Sequence, residues 1–187
     1  MELTNEIIEK NFNLFKTKIE SFGVSEGTLS NVFGDKLKTA TFAMDAKSGA
    51  AMDGSLLNIV LRLLIPTALK INDVLSDDLK VSKEKIVKVG LLQHLSKAFM
   101  FEKNDNQWEI EKRGLVYKFT PSKYALKLGA RSIAVANELG VSLTEEDIEA
   151  MLCLDKDVND EQSKLHSSPL AVVMRQANEI VLLELMK

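Results

Sequence analysis

Few residues in this chain are of the types that do chemistry, and their spacing narrows the set further. His94 follows Gln93 in an apolar stretch, and an imidazole can move protons or ligate a metal near neutral pH. One imidazole does not bind a metal usefully alone, and a lone histidine on an apolar helix is more simply a neutral, hydrogen-bonded core residue. Lys97, Lys123, Lys127 and Arg131 supply cations that could surround an anion, although Lys127 and Arg131, four residues apart, read more simply as a solvated helix face. Asp155, Asp157, Asp160 and His166 put metal-capable donors into one loop. Their spacing matches no calcium loop that closes on a bidentate glutamate, so a solvated loop is the plainer reading. Cys153 is the single cysteine, with no C-x-x-C partner and no evident base, which makes it a small buried hydrophobe rather than a nucleophile. Gly23, Gly34 and Gly54 fall in neither G-x-G-x-x-G nor G-x-x-x-x-G-K-[ST], so a Rossmann or P-loop nucleotide site has no support.

The elements that must position these residues are mostly helical. Thr4 caps a predicted helix through Ile8, Phe12, Phe15, Ile19 and Phe22, stopped by Gly23, and Ser25 starts a short second one that ends at Gly34-Asp35. Residues 1–39 therefore read as an N-terminal helical arm or hairpin, and residues 40–187 as the main domain. Thr39 to Gly54 is a predicted loop between the two. From Ser55 to about Asn72 apolar residues dominate, and Pro66 is expected to kink or divide that helix near Ile65. Ser82 caps a helix through Ile86, Leu91, Leu95 and Phe99, apolar on nearly every side and therefore central. A small β-hairpin or meander is expected over Phe99–Lys103, Gln107–Glu111 and Leu115–Phe119. Further helices are expected from Ser122 to Leu139, from the Thr144 cap onward, and from Ser168-Pro169 to the C-terminus.

Composition bounds the rest. With 187 residues, 45% hydrophobic and 27% charged, the chain has the make-up of a globular protein with a sizeable core. A net charge of −3 and an isoelectric point near 5.5 disfavour a phosphate-neutralising surface, so nucleic acid is not the expected partner. A single cysteine suits a reducing compartment. No basic start precedes an apolar run, and the apolar stretch from Leu56 to Leu69, broken by Asn58, Arg62 and Pro66, reads as too short to span a bilayer. A cytoplasmic protein without a membrane partner is the expectation.

Several strings, in order, resemble a group of small HD-domain metal-dependent phosphohydrolases common in gut bacterial and phage genomes, over about residues 40 to 187. The family's Leu-Leu-His-Asp-Leu-Cys-Lys-Ala is matched by Leu91-Leu92-Gln93-His94-Leu95-Ser96-Lys97-Ala98. Its Gly-Leu-Leu-Glu-His resembles Gly54-Ser55-Leu56-Leu57-Asn58. Its Lys-Phe-Pro-Leu-Gly-His-Gly-Glu-Lys-Ser resembles Lys123-Tyr124-Ala125-Leu126-Lys127-Leu128-Gly129-Ala130-Arg131-Ser132. Leu-Thr-x-Glu-Glu leading to Arg-Trp-His resembles Leu143 to Asp147 leading to Leu154, and Pro-Leu-Ala-Val with a downstream Ala-Asp resembles Pro169 to Val172 and Ala177-Asn178. The resemblance implies an HD-like helical bundle in which the metal-ligand positions have become Asn58, Gln93, His94, Leu128, Leu154 and Asn178. Leucine has no lone pair to give, and neutral amides lack the charge with which carboxylates hold a hard divalent ion.

The expected fold is thus mainly α, HD-like, with a small β-hairpin and an added N-terminal helical segment. The expected function is a pseudoenzyme without catalytic residues, metal or cofactor, working as a structural or interaction protein among other subunits, as a homo-oligomer or in a larger assembly such as a phage virion. The alternative is a regulatory module that binds a nucleotide or other anion through Lys97, Lys127 and Arg131 without cleaving it.

Overall fold

The computed structural model describes residues 3–155 and 167–187. The fold is mainly α with one small antiparallel sheet. Its helices are α1 (Asn5–Glu20), α2 (Glu26–Phe33), α3 (Lys36–Thr39), α4 (Ser55–Ile59), α5 (Ile65–Asp73), α6 (Lys83–Leu92), α7 (Lys97–Met100), α8 (Leu128–Glu138), α9 (Glu145–Leu152) and α10 (Pro169–Leu185). Strands β1 (Phe101–Lys103) and β2 (Tyr117–Phe119) pair with Phe101 opposite Phe119 and Lys103 opposite Tyr117.

Five helix starts follow directly from local side-chain chemistry. Thr4, Ser25, Ser82, Thr144 and Ser168 each accept a hydrogen bond from a first-turn amide of the helix they precede, satisfying donors that have no partner inside the helix. At Thr144 the arrangement is reciprocal, because Asp147 accepts from the Thr144 backbone N–H.

Between α4 and α5 the chain passes through one π-helical turn, Val60–Leu64. The cause is Pro66, which has no N–H to give to Arg62 and whose ring would strike that carbonyl in a regular α-helix. The π turn absorbs the extra residue without breaking the rod, so the predicted kink takes the form of a π turn. Ser55–Asp73 is consequently one helical run of 19 residues. That corrects the expectation of a stretch too short to cross a bilayer, since by length and composition alone the run suffices. Leu56, Leu57, Ile59, Val60, Leu64, Ile65 and Ala68 are nonetheless buried, against α1, α6 and α10.

One hydrophobic cluster runs through α1, α2, α4–α6 and α8–α10. Phe15 and Ile19 of α1 are fully buried in it together with Leu91, Leu92 and Met174. The first 39 residues, expected as an arm or hairpin, contribute Phe15, Ile19, Leu29, Phe33 and Leu37 to this cluster. The predicted loop before α4 holds a 3-10 turn at Ala46–Ser48 and sends Phe42 into the core.

Three expected elements take a different form. The helix from Ser82 was expected to continue to Phe99, but it stops at Leu92, turns through Gln93–Ser96 and resumes as α7. Gln107–Glu111, expected as a strand, lies in a helical turn that ends as the π turn Glu109–Arg113. Asn106 starts it, its side-chain oxygen accepting from the amides of Trp108 and Glu109. The helix expected from Ser122 begins only at Leu128.

Candidate functional site

The turn that ends α6 puts Gln93 and His94 against α10, and there three of the six positions that the sequence resemblance singled out, Gln93, His94 and Asn178, meet. His94 Nε2 lies 2.7 Å from Asn178 Oδ1. The Asn178 amide nitrogen donates to the Met174 carbonyl at 2.8 Å and to Gln93 Oε1 at 3.3 Å. These contacts fix the amide's orientation, so His94 must be the donor from Nε2, which leaves Nδ1 as its unprotonated nitrogen. Gln93, His94 and Asn178 are all buried. Burial, then the nearby Lys97 charge, pushes the His94 pKa down to about 3, so the ring is neutral at physiological pH.

Phe42 joins this cluster to Lys97. Its ring centre is 5.0 Å from that of His94, and the Lys97 ammonium sits 3.5 Å from the same ring centre while donating to the Phe42 carbonyl at 2.7 Å. Burial pushes the Lys97 amine down to about 7. The ring face and the carbonyl are the contacts that support its charged form.

The other three singled-out positions, Asn58, Leu128 and Leu154, lie apart from this triad. Asn58 accepts from Asn11 of α1 at 3.0 Å, and Asn11 in turn accepts from Arg62 Nε at 3.3 Å. Leu128 is half-buried at the start of α8, with its carbonyl accepting from Ser96 Oγ at 3.2 Å. Leu154 is half-buried after α9. The donor set does not fit a hydrolytic metal centre. It offers one imidazole with a single lone pair, on the buried Nδ1, together with neutral amides bonded to one another, two leucines, and a lysine whose charge opposes any cation at His94. Among the described residues no three of His, Cys, Asp and Glu come together as a possible metal site.

The three cations singled out for an anion are each engaged separately. Lys97 is held by Phe42, whereas Lys127 donates to the Asp155 carbonyl at 3.0 Å. Arg131 donates to Ser122 Oγ and to the Tyr124 carbonyl, both at 3.0 Å, and so clamps the segment before α8. Lys127 precedes the first residue of α8, so these two do not form the solvated helix face that their spacing suggested. Asp155 also departs from the solvated-loop reading. Its two carboxylate oxygens accept from the Gly129 and Ala130 amides at 2.7 and 2.8 Å, neutralising the exposed donors that begin α8. A side chain at Gly129 would run into the Met151 carbonyl, so only glycine lets α8 approach α9 this closely. Asp157, Asp160 and His166 lie outside the described residues.

Sequence reasoning missed several buried polar partners. Asn11 is one, and Ser96 with Ser132 (2.8 Å apart) is another. A third is Lys88 of α6, paired with the fully buried Asp147 of α9. The signal for Asn11 was a polar residue on the apolar face of α1, one position from Phe12. No protein-family model, curated protein or solved structure matches the chain.

Proposed function

We propose that this protein is a non-catalytic helical scaffold on a degenerate HD-domain frame, serving as a structural or interaction component of an assembly. A phage virion is the most specific version of that reading, and a cytoplasmic complex the more general one. The observation that carries it is the Gln93–His94–Asn178 cluster. Where the resemblance puts metal ligands, these side chains are buried and bonded to one another, with the imidazole neutral. Two of its polar atoms, Gln93 Nε2 and His94 Nδ1, have no hydrogen-bond partner among the described residues, but both are enclosed in the core, away from any substrate in solvent.

A surface for association is at hand on the last turns of α10, where Ile180, Leu182, Leu183 and Met186 are exposed. Apolar side chains grouped in this way mark contact sites more often than isolated ones do. The anion-binding alternative is the weaker reading, because Lys97, Lys127 and Arg131 already have acceptors within the protein.

The test is light scattering across a concentration series, together with a hydrolysis assay on nucleotides with added manganese. The expected result is a particle heavier than the 20.8 kDa monomer, reduced to monomer by Leu183→Glu, and no hydrolysis. A monomer at every concentration, or metal-dependent turnover lost in His94→Gln, would overturn the reading.

A further inference from the structure

Tyr117 stands in the walls of three clefts of about 320, 420 and 310 Å³. The first lies between α3, α7 and the two strands, and its chemistry is sharply divided. One wall is aromatic, formed by Phe99 and Phe101, and Phe99 is backed by Phe33 stacked at 5.2 Å between ring centres. The polar side contains Asp53, which accepts from the Tyr117 hydroxyl at 2.6 Å and from Lys103 at 2.8 Å. That carboxylate is compensated, and so is Glu102, the other one in the wall, by the Lys118 ammonium at 3.6 Å, so the two repel an incoming anion little. Lys36 is different. Its ammonium lies 5.5 Å from the Phe99 ring centre and has no ion-pair partner among the described residues.

An aromatic wall beside a cation with no ion-pair partner selects for a molecule of matching halves. The volume of about 320 Å³ is at the small end of the range for ligand clefts, about 300–1,000 Å³, so the occupant is fragment-sized. We propose that this cleft binds a small organic anion, a carboxylate or phosphate monoester on a flat apolar body, with its head on Lys36 and its body on Phe99 and Phe101. The site shares no residue with the Gln93–His94–Asn178 cluster and holds whether or not the scaffold reading is right.

The test is an amide-resolved NMR titration of the full chain with phenyl phosphate, with benzoate, and with neutral benzyl alcohol. The expected result is saturable shifts at Lys36, Phe99, Phe101 and Tyr117 with at least one of the two anions, and the arm that saturates at lower concentration identifies the preferred head group. Because Lys36 is exposed, Lys36→Gln should leave the fold intact. It should weaken the anion by about fivefold, the upper end for a partly solvated charge contact, and leave benzyl alcohol unchanged, while Lys36→Arg should retain binding. Saturation by neither anion, shifts that map elsewhere, equal affinity for benzyl alcohol, or indifference to Lys36→Gln would each overturn the proposal.

Discussion

His94 and Lys97 are two basic side chains that burial holds back from protonation, and they act on stability in different pH ranges. The native His94 pKa is about 3 against an ordinary 6.5. Between those values the unfolded chain binds a proton that the native state refuses, so this contribution is complete above the upper value and is lost as pH falls towards the lower one. Lys97, at about 7 against an ordinary 10.5, has the same sign in a higher window, and stability should rise with pH across it. Urea midpoints measured from acid to alkaline pH should therefore show two rising limbs. His94→Gln is expected to flatten the first and Lys97→Met the second, each by at most about 1.4 kcal/mol per pH unit, the limit for one proton. An unchanged acid limb in His94→Gln would mean that the ring is protonated in the native state.

Most elements whose form depends on side chains within four residues were legible, those set by distant partners were not, and one local signal, the Asn106 cap, was overlooked. The caps at Thr4, Ser25, Ser82, Thr144 and Ser168 could be read because each hydroxyl acts on the amide three positions away. The break after Leu92 could not, since Gln93 and His94 leave the helix to meet Asn178, a residue 84 positions from His94. The turn through Trp108 was taken for a strand because Trp108 and Ile110 alternate with glutamates, and the Asn106 cap overrides that pattern. Of the candidate site, the residue types at Gln93, His94 and Asn178 were readable from the sequence, whereas their grouping and the separation of Asn58 required the fold. Packing between elements gives its own expectation at Gly90 of α6. A Cβ there would meet Ile65 Cγ1 at 2.6 Å, so Gly90→Ala should lower stability by about 1–3 kcal/mol through overpacking. Adding Ile65→Ala should recover part of that loss in thermal unfolding, and simple additivity of the two losses would exclude this contact as the cause.

At the scale of the molecule, α1 is tied to α4 and to the π turn by the polar chain Asn58–Asn11–Arg62, with Asn11 at its centre, as well as by Phe15 and Ile19. Asn11 is almost completely buried, and Asn11→Leu would leave both its partners short of a hydrogen bond, for a loss of about 1–3 kcal/mol. Because α1 belongs to the common core, unfolding followed by circular dichroism and by the single tryptophan, Trp108, should give one coincident transition in wild type and variant alike. Two separated transitions would show α1 melting alone. The bond between His94 and Asn178 carries a further consequence, for synthesis in the cell. Every helix that α10 must cover leaves the ribosome before it does, so α5, α6 and α9 wait with apolar faces uncovered until the last part of this sequence emerges. A nascent chain stalled before Pro169 would then be a substrate for chaperones rather than a folding intermediate with a finished core.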